Sequence, residues 1–309
     1  MLQTSTALKA SKIPGDVVAL STFCDWLEAT ALFQRGTTLS YPDIVDLLME
    51  DDLCDSQTEG WRVIGDCTTE LNRRARLLRG GFPFRLEANR IVRRIPWRET
   101  PAYSFCILLA LARALPDWTS SFGKDFTHQG ELFEVLSEKA LDRLLNGWSV
   151  HRTGWSRSRT NHINQVVAAV VKVIGEPAGD VYRWTKATAK EAGLDLLCLR
   201  PFQDKRAGVP LYLVQCASGR DWEDKLTTPN TDVWEKLIVF AAKPRRAFCT
   251  PFSFLDSEFP MHVNKVQGLL LDRHRLLEPL RSDRAWLSRK FERELISWSK
   301  PRVAALPWT

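Results

Sequence analysis

Asp195 and Gln215 are the residues of this chain whose types and spacing best suit chemistry. Asp195 interrupts the leucines of residues 194–199, and Gln215 closes a second apolar run at 209–214. Between the runs lies a polar stretch, 201–208, rich in Pro, Asp, Lys, Arg and Gly. Two short apolar runs bounded by turn residues predict the antiparallel strands of a buried hairpin. A carboxylate set among leucines carries a desolvation cost that something must offset. A divalent cation would do so.

An Asp near one strand, a Gln at the end of the next and an upstream helical acid together resemble the core of the PD-(D/E)XK nuclease superfamily. The residues carrying the likeness are Asp195 in GLDLL, Gln215 in YLVQCASG and Glu134 in QGELFEVLSEKAL. On helical periodicity alone Glu134 reads as exposed, and the resemblance is what turns it towards the strands. The resemblance implies a restriction-endonuclease-like core over residues 127–250 that hydrolyses DNA phosphodiester bonds. It makes Asp195 and Glu134 ligands of Mg2+ (or Mn2+), adds the backbone carbonyl of Cys216, and gives Gln215 a positioning role. The lysine of the usual pattern is replaced by Ala217, and Gln215 stands where an acid is common. Lys225 is the substitute expected to orient the water, reached if the chain turns back as a helix after Gly219; Arg220 is the reserve. The implied setting is bacterial restriction or anti-phage defence, with other subunits supplying a motor or sensor. The alternative is a catalytically degenerate nuclease fold kept as a nucleic-acid-binding or assembly subunit. Cysteine chemistry at Cys216 has no identifiable histidine partner, and GxxxxGK[ST] and GxGxxG are absent.

Phosphate contacts fall to arginines. Nine of them and a single acid, Glu87, lie between Arg73 and Arg98. Guanidinium forks match phosphate oxygens, so Arg73, Arg74, Arg93 and Arg94 are candidate nucleic-acid contacts. Arg152, Arg157 and Arg159 join them in a stretch, 147–165, that interleaves basic residues with Trp148 and Trp155. A net charge of +6 and a pI near 9.0 are compatible with that partner.

The elements that must position these residues read as an α/β chain of two domains. Residues 1–120 are expected to form a helical, arginine-rich domain. Residues 121–309 are expected to form the restriction-endonuclease-like core, with a small mixed sheet and C-terminal helices. Helical patterns cover 17–32, 40–48, 61–78 and 103–115 in the first part, with a strand and its extension in 82–97. In the second part helices are expected at 131–145, 161–174, 263–271 and 284–298. Residues 147–165 read as a loop, and 237–242 and 247–254 as strands. The seven cysteines form no Cys-x-x-Cys pair and read as reduced core residues. No apolar run reaches the roughly 20 residues of a membrane span, so no membrane partner is expected and the chain is expected in the cytoplasm.

Overall fold

A computed structural model describes residues 1–4, 17–115, 118–119, 122, 125–153, 162–184 and 192–309. The chain is mixed α/β and divides into two compact units. Unit 1 comprises residues 1–124, 251–258 and 273–309; unit 2 comprises 125–250 and 259–272. The division differs from the expected cut after residue 120. The boundary falls after Lys124, and the C-terminal segment that was expected to complete the core belongs to unit 1.

In unit 1, helices α1 (Val17–Phe33), α2 (Tyr41–Glu50), α3 (Gln57–Leu78) and α4 (Pro101–Ala114) surround a three-stranded antiparallel sheet. Its strands β1 (Thr38–Ser40), β2 (Phe84–Glu87) and β3 (Arg90–Arg93) lie in the order β1-β3-β2. The single strand expected after Gly81 is therefore a hairpin turning at 87–90. Ser40 caps α2, its hydroxyl accepting the Asp43 N–H at 3.5 Å, and Pro42 opens the first turn. α4 is buried on almost every side because it packs against α1 and, later in the chain, against the last helix. Its sequence, apolar through YSFCILLALA, shows no polar stripe for that reason.

In unit 2, α5 (Phe126–Leu144) leads into a five-stranded sheet ordered by sequence: β4 (Ser149–Arg152), β5 (Leu196–Leu199), β6 (Leu211–Cys216), β7 (Arg245–Cys249) and β8 (Gly268–Leu271). β4, β5 and β6 are antiparallel neighbours; β7 and β8 run parallel to β6. Between β4 and β5 stand α6 (Ile163–Ile174) and the single turn α7 (Val181–Trp184). α8 (Thr231–Leu237) crosses from β6 to β7, and α9 (Phe259–Val266) from β7 to β8. One face of the sheet is covered by α6, whose Ile163, Val166, Val167, Val170 and Ile174 recur at helical spacing. They pack with Leu197, Leu199, Leu211 and Leu213 from β5 and β6 and with Trp234 and Leu237 of α8. Each such side chain contributes about 1.5–3 kcal/mol on burial. α6 ends at Gly175, whose φ of +72° supplies the left-handed residue of a helix terminus.

Three local expectations are corrected. Residues 149–152, expected in a loop, form an edge strand paired with β5. The run 263–271, expected as one helix, breaks at Gln267 (φ +52°) and continues as strand β8. Gly268 lies so close to β7 that a Cβ would stand 2.1 Å from the Arg246 carbonyl, which makes glycine the residue that permits this pairing. The strand-like run 237–242 begins as the last residue of α8, and Ile238 makes an isolated bridge to Ala178. Unit 1 closes with α10 (Arg273–Leu276) and α11 (Arg289–Ala304). No described helix is long and apolar enough to cross a membrane.

Candidate active site at the β5–β6 strand pair

Asp195 immediately precedes β5, opposite Gln215 of β6 in the antiparallel register. Its backbone is pinned from both sides. The Asp195 N–H donates to the Val214 carbonyl at 3.0 Å, and the Asp195 carbonyl accepts the Thr153 N–H at 3.0 Å. The side chain is buried, 7% exposed, and Oδ2 accepts the Cys216 N–H at 2.6 Å and an N–H of the Gln215 amide. A buried carboxylate that accepts two N–H groups has much of its desolvation cost offset.

Gln215 is likewise buried and fully engaged. Nε2 lies within hydrogen-bonding reach of Asp195 Oδ2 and, at 3.3 Å, of the Cys216 carbonyl. Oε1 is 3.1 Å from Thr228 Oγ1. Thus the Asp195 carboxylate and the Cys216 carbonyl converge on one atom. Glu134, half-buried on α5, completes the neighbourhood. Burial, contact with the Cys249 thiol, and the charges of Asp195 and Glu134 all push the Cys216 thiol well above its ordinary range. Both carboxylates therefore act on the same sulfur, which is held as an inert thiol. The seven cysteines are unpaired, six of them buried.

Lys225 ends a 3-10 segment, Arg220–Lys225, that follows Gly219. Its side chain is exposed, while its carbonyl accepts from the Thr228 N–H at 2.9 Å and lies 2.6 Å from Thr228 Oγ1. Thr228 thus links the Lys225 backbone to the Gln215 amide. Ala217 is 1% exposed and donates its N–H to the Cys249 carbonyl, so the position of the expected lysine is a packed sheet residue. Among the described residues no three His, Cys, Asp or Glu side chains gather closely enough to hold an ion by themselves. The oxygen donors here are two carboxylates supplemented by a carbonyl and an amide.

The arginines divide. Arg74 is not a phosphate contact: it is completely buried, paired with Asp25 at 2.7 Å, Glu70 at 2.7 Å and Glu28 at 3.4 Å. Arg73 is spent on Glu70 at 2.7 Å, Asp256 at 3.0 Å and the Phe254 carbonyl at 2.8 Å. Arg93 donates to the carbonyls of Leu32 and Gln34, each at 2.7 Å. All three are engaged within unit 1. Arg94 is exposed, and Arg152 on β4 pairs with Glu138 of α5 at 3.2 Å while remaining 45% exposed. Arg157 and Arg159 lie outside the described residues.

Sequence reasoning did not single out Thr153 or Thr228, which hold Asp195 and Gln215 in place, because a threonine hydroxyl carries no local signature of its distant partner. Gly193 is a third supporting residue. With φ at +72°, a Cβ there would lie 3.1 Å from Gln215 Oε1 and 3.1 Å from Thr228 Cβ. Gly193→Ala is expected to lose about 1–2 kcal/mol of stability from the left-handed backbone alone. A Thr228→Val variant, which removes the hydroxyl without strain, separates crowding from the lost hydrogen bond in urea unfolding. Equal stability of Gly193→Ala and the parent chain would refute both the backbone strain and the crowding.

Comparison with family models, with curated proteins and with solved structures finds no match to this chain.

Proposed function

We propose that unit 2 is a metal-dependent nuclease domain that hydrolyses DNA phosphodiester bonds, acting as the nuclease component of a restriction or anti-phage system. The observation that supports this reading most directly is that Asp195 Oδ2 and the Cys216 carbonyl both lie within hydrogen-bonding reach of one side-chain atom, Gln215 Nε2. A buried carboxylate and a neighbouring carbonyl are the hard oxygens that Mg2+ or Mn2+ accepts. The donor set fits such an ion: Asp195 and the Cys216 carbonyl would hold it, Glu134 would add charge, and Gln215 would turn its amide over to offer Oε1. When bound, the ion supplies Lewis acidity towards a phosphoryl oxygen and lowers the pKa of a bound water. The chain's own residues orient and charge the site: Thr153 and Thr228 fix the two strands' ends, Lys225 supplies an exposed cation, and Arg152 meets a backbone phosphate. Arg94, exposed on unit 1, is a separate phosphate contact.

A second reading has its own support. Asp195 is already satisfied by two N–H groups, and the lysine position is the packed Ala217. On that reading the fold binds nucleic acid without cutting it. Incubating the chain with plasmid and linear DNA in millimolar Mg2+ or Mn2+ separates the two. Cleavage is expected for the parent chain and is expected to fall on the order of a hundredfold or more in Asp195→Asn, which keeps the side-chain shape and removes the charge. Binding without cleavage by the parent chain would favour the second reading. Cleavage undiminished in Asp195→Asn would place the chemistry elsewhere.

A further inference from the structure

Large rings normally bury, yet unit 2 exposes two on one short element. Tyr182 and Trp184 of α7 are 78% and 46% exposed. Trp184 is flanked by cations: Arg183 Cζ lies 5.1 Å and Lys236 Nζ 4.6 Å from its ring centroid. Among the described residues neither cation has a carboxylate partner. The nearby Asp180 uses Oδ1 to accept the Arg183 backbone N–H at 3.2 Å. We infer that Trp184, flanked by Arg183 and Lys236, forms a stacking platform for single-stranded nucleic acid, with Tyr182 a second exposed ring on the same turn.

The element is tied to α8 at its start. Gly179 donates its N–H to the Leu237 carbonyl at 2.8 Å, and a Cβ on Gly179 would stand 2.3 Å from the Lys236 carbonyl. Only glycine lets the chain approach α8 this closely. Beneath it, Trp234 is fully buried and donates Nε1–H to the Ala192 carbonyl at 3.4 Å. The turn that carries Trp184 is thus anchored by its backbone to α8, over a packed base.

The chemistry selects the ligand. A base stacked on an aromatic ring contributes about 1–3 kcal/mol, more than the roughly 0.5–1 kcal/mol of an exposed cation–π contact, so a base outcompetes either cation for the ring. The displaced Arg183 and Lys236 are then set to meet the flanking phosphates. A duplex hides its base faces within the stack; a single strand offers them. An aromatic face reads no sequence, so the platform accepts any base. Binding here stands apart from hydrolysis at Asp195, because it needs neither the divalent ion nor the carboxylates.

The test measures fluorescence anisotropy of labelled oligothymidylate, oligouridylate and a DNA duplex of equal length with the full chain, in EDTA so that no strand is cut. The parent chain is expected to prefer the single strands. Tyr182→Ala combined with Trp184→Ala is expected to weaken single-strand binding about tenfold or more, and Trp184→Phe to retain most of it. The two oligonucleotides distinguish a deoxyribose from a ribose strand as the source of the stacked base. Should the double alanine variant melt early, Arg183→Gln with Lys236→Gln serves instead. It is expected to reduce the slope of log affinity against log salt by about 1.4. No preference of the parent chain for single strands, or parental affinity and salt slope in the variants, overturns the inference. Because cleavage is not read out, failure here leaves the nuclease reading to its own experiment.

Discussion

Arg74→Met is expected to destabilise unit 1 by about 3–5 kcal/mol, a fall in melting temperature on the order of 10 °C. Arg74 is completely buried, and its guanidinium reaches Asp25, Glu28 and Glu70 at once. Arg273, also completely buried, shares Asp25 and lies 3.7 Å from Glu28. Arg73 balances Glu70 from the rim, so three guanidiniums face three carboxylates. Methionine would fill the space of the Arg74 stem and leave the carboxylates short of one charge, which is the costly way to break a buried pair.

The pH dependence carries a sign that a mere packing defect would not. Burial acts to raise Asp25, but the charges of Arg273 and Arg74 outweigh it and hold the carboxyl below its ordinary range. Burial likewise acts to raise Glu70, and hydrogen bonds from Arg73 with the charge of Arg74 hold it low. Groups with lowered folded-state pKa contribute stability above their unfolded value, about 4, and lose it as pH falls through the folded value. In Arg74→Met the stranded carboxylates would take up protons more readily and so be relieved by acid. The deficit against the parent chain is therefore expected to shrink between about pH 7 and about pH 4.5. Urea unfolding at the two pH values reads it directly. A deficit below about 1 kcal/mol, or one that grows on acidification, would show that the network does not carry this stability.

Arg74 also shows what a sequence can offer beyond its composition. A run rich in arginine reads as a phosphate face when only composition is weighed. The helical period says otherwise for one member: Arg74 falls on the stripe of Cys67, Leu71 and Leu78, four residues after Glu70. That signal was present at i, i+4 and i+7. The acids that complete the network, Asp25 and Glu28, sit inside an apolar helix whose partners come from elsewhere in the chain, and no local pattern names them. The hairpin β5–β6 was legible because both its strands are continuous apolar runs bounded by turn residues. β4 was not, since SVHR at a sheet edge has the composition of a loop. β8 was not, because Val263, Val266 and Leu270 keep a helical spacing through the run, and the break lies in the backbone at Gln267. At the site, Asp195 and Gln215 were legible as polar residues in apolar strands. Their alignment across the register and their support by Thr153 and Thr228 depend on pairings of 13 to 42 residues' separation, which a residue-by-residue reading does not reach.

Gln215→Glu is expected to turn the strand pair into a cation-dependent structure, and it tests the cation site without reference to cleavage. The amide now donates to Asp195 Oδ2 and to the Cys216 carbonyl from a position only 6% exposed. A glutamate there removes the donor and sets a second carboxylate against the first. In EDTA near neutral pH the loss is expected to be roughly 2–4 kcal/mol, from the amide N–H withdrawn from Asp195 Oδ2, which keeps only the Cys216 N–H, and from the Cys216 carbonyl, and from a like-charge contact in a buried place. Acid should restore stability, because the introduced carboxyl, once protonated, can donate its O–H as the amide donates its N–H. This is the behaviour of a group whose folded pKa is raised. Mg2+ or Mn2+ should restore it at neutral pH by a different route, binding the folded state alone and adding about 2.7 kcal/mol once its concentration reaches a hundred times its dissociation constant. The parent chain should gain less, having one carboxylate fewer. Thermal melts in EDTA, in cation and at low pH give all three values. Recovery by acid without recovery by cation would mean that the converging oxygens repel a second charge and hold no metal, and the proposed chemistry at Asp195 would lose its foundation. Recovery by both would place the cation between Asp195 and residue 215, as the proposed chemistry requires.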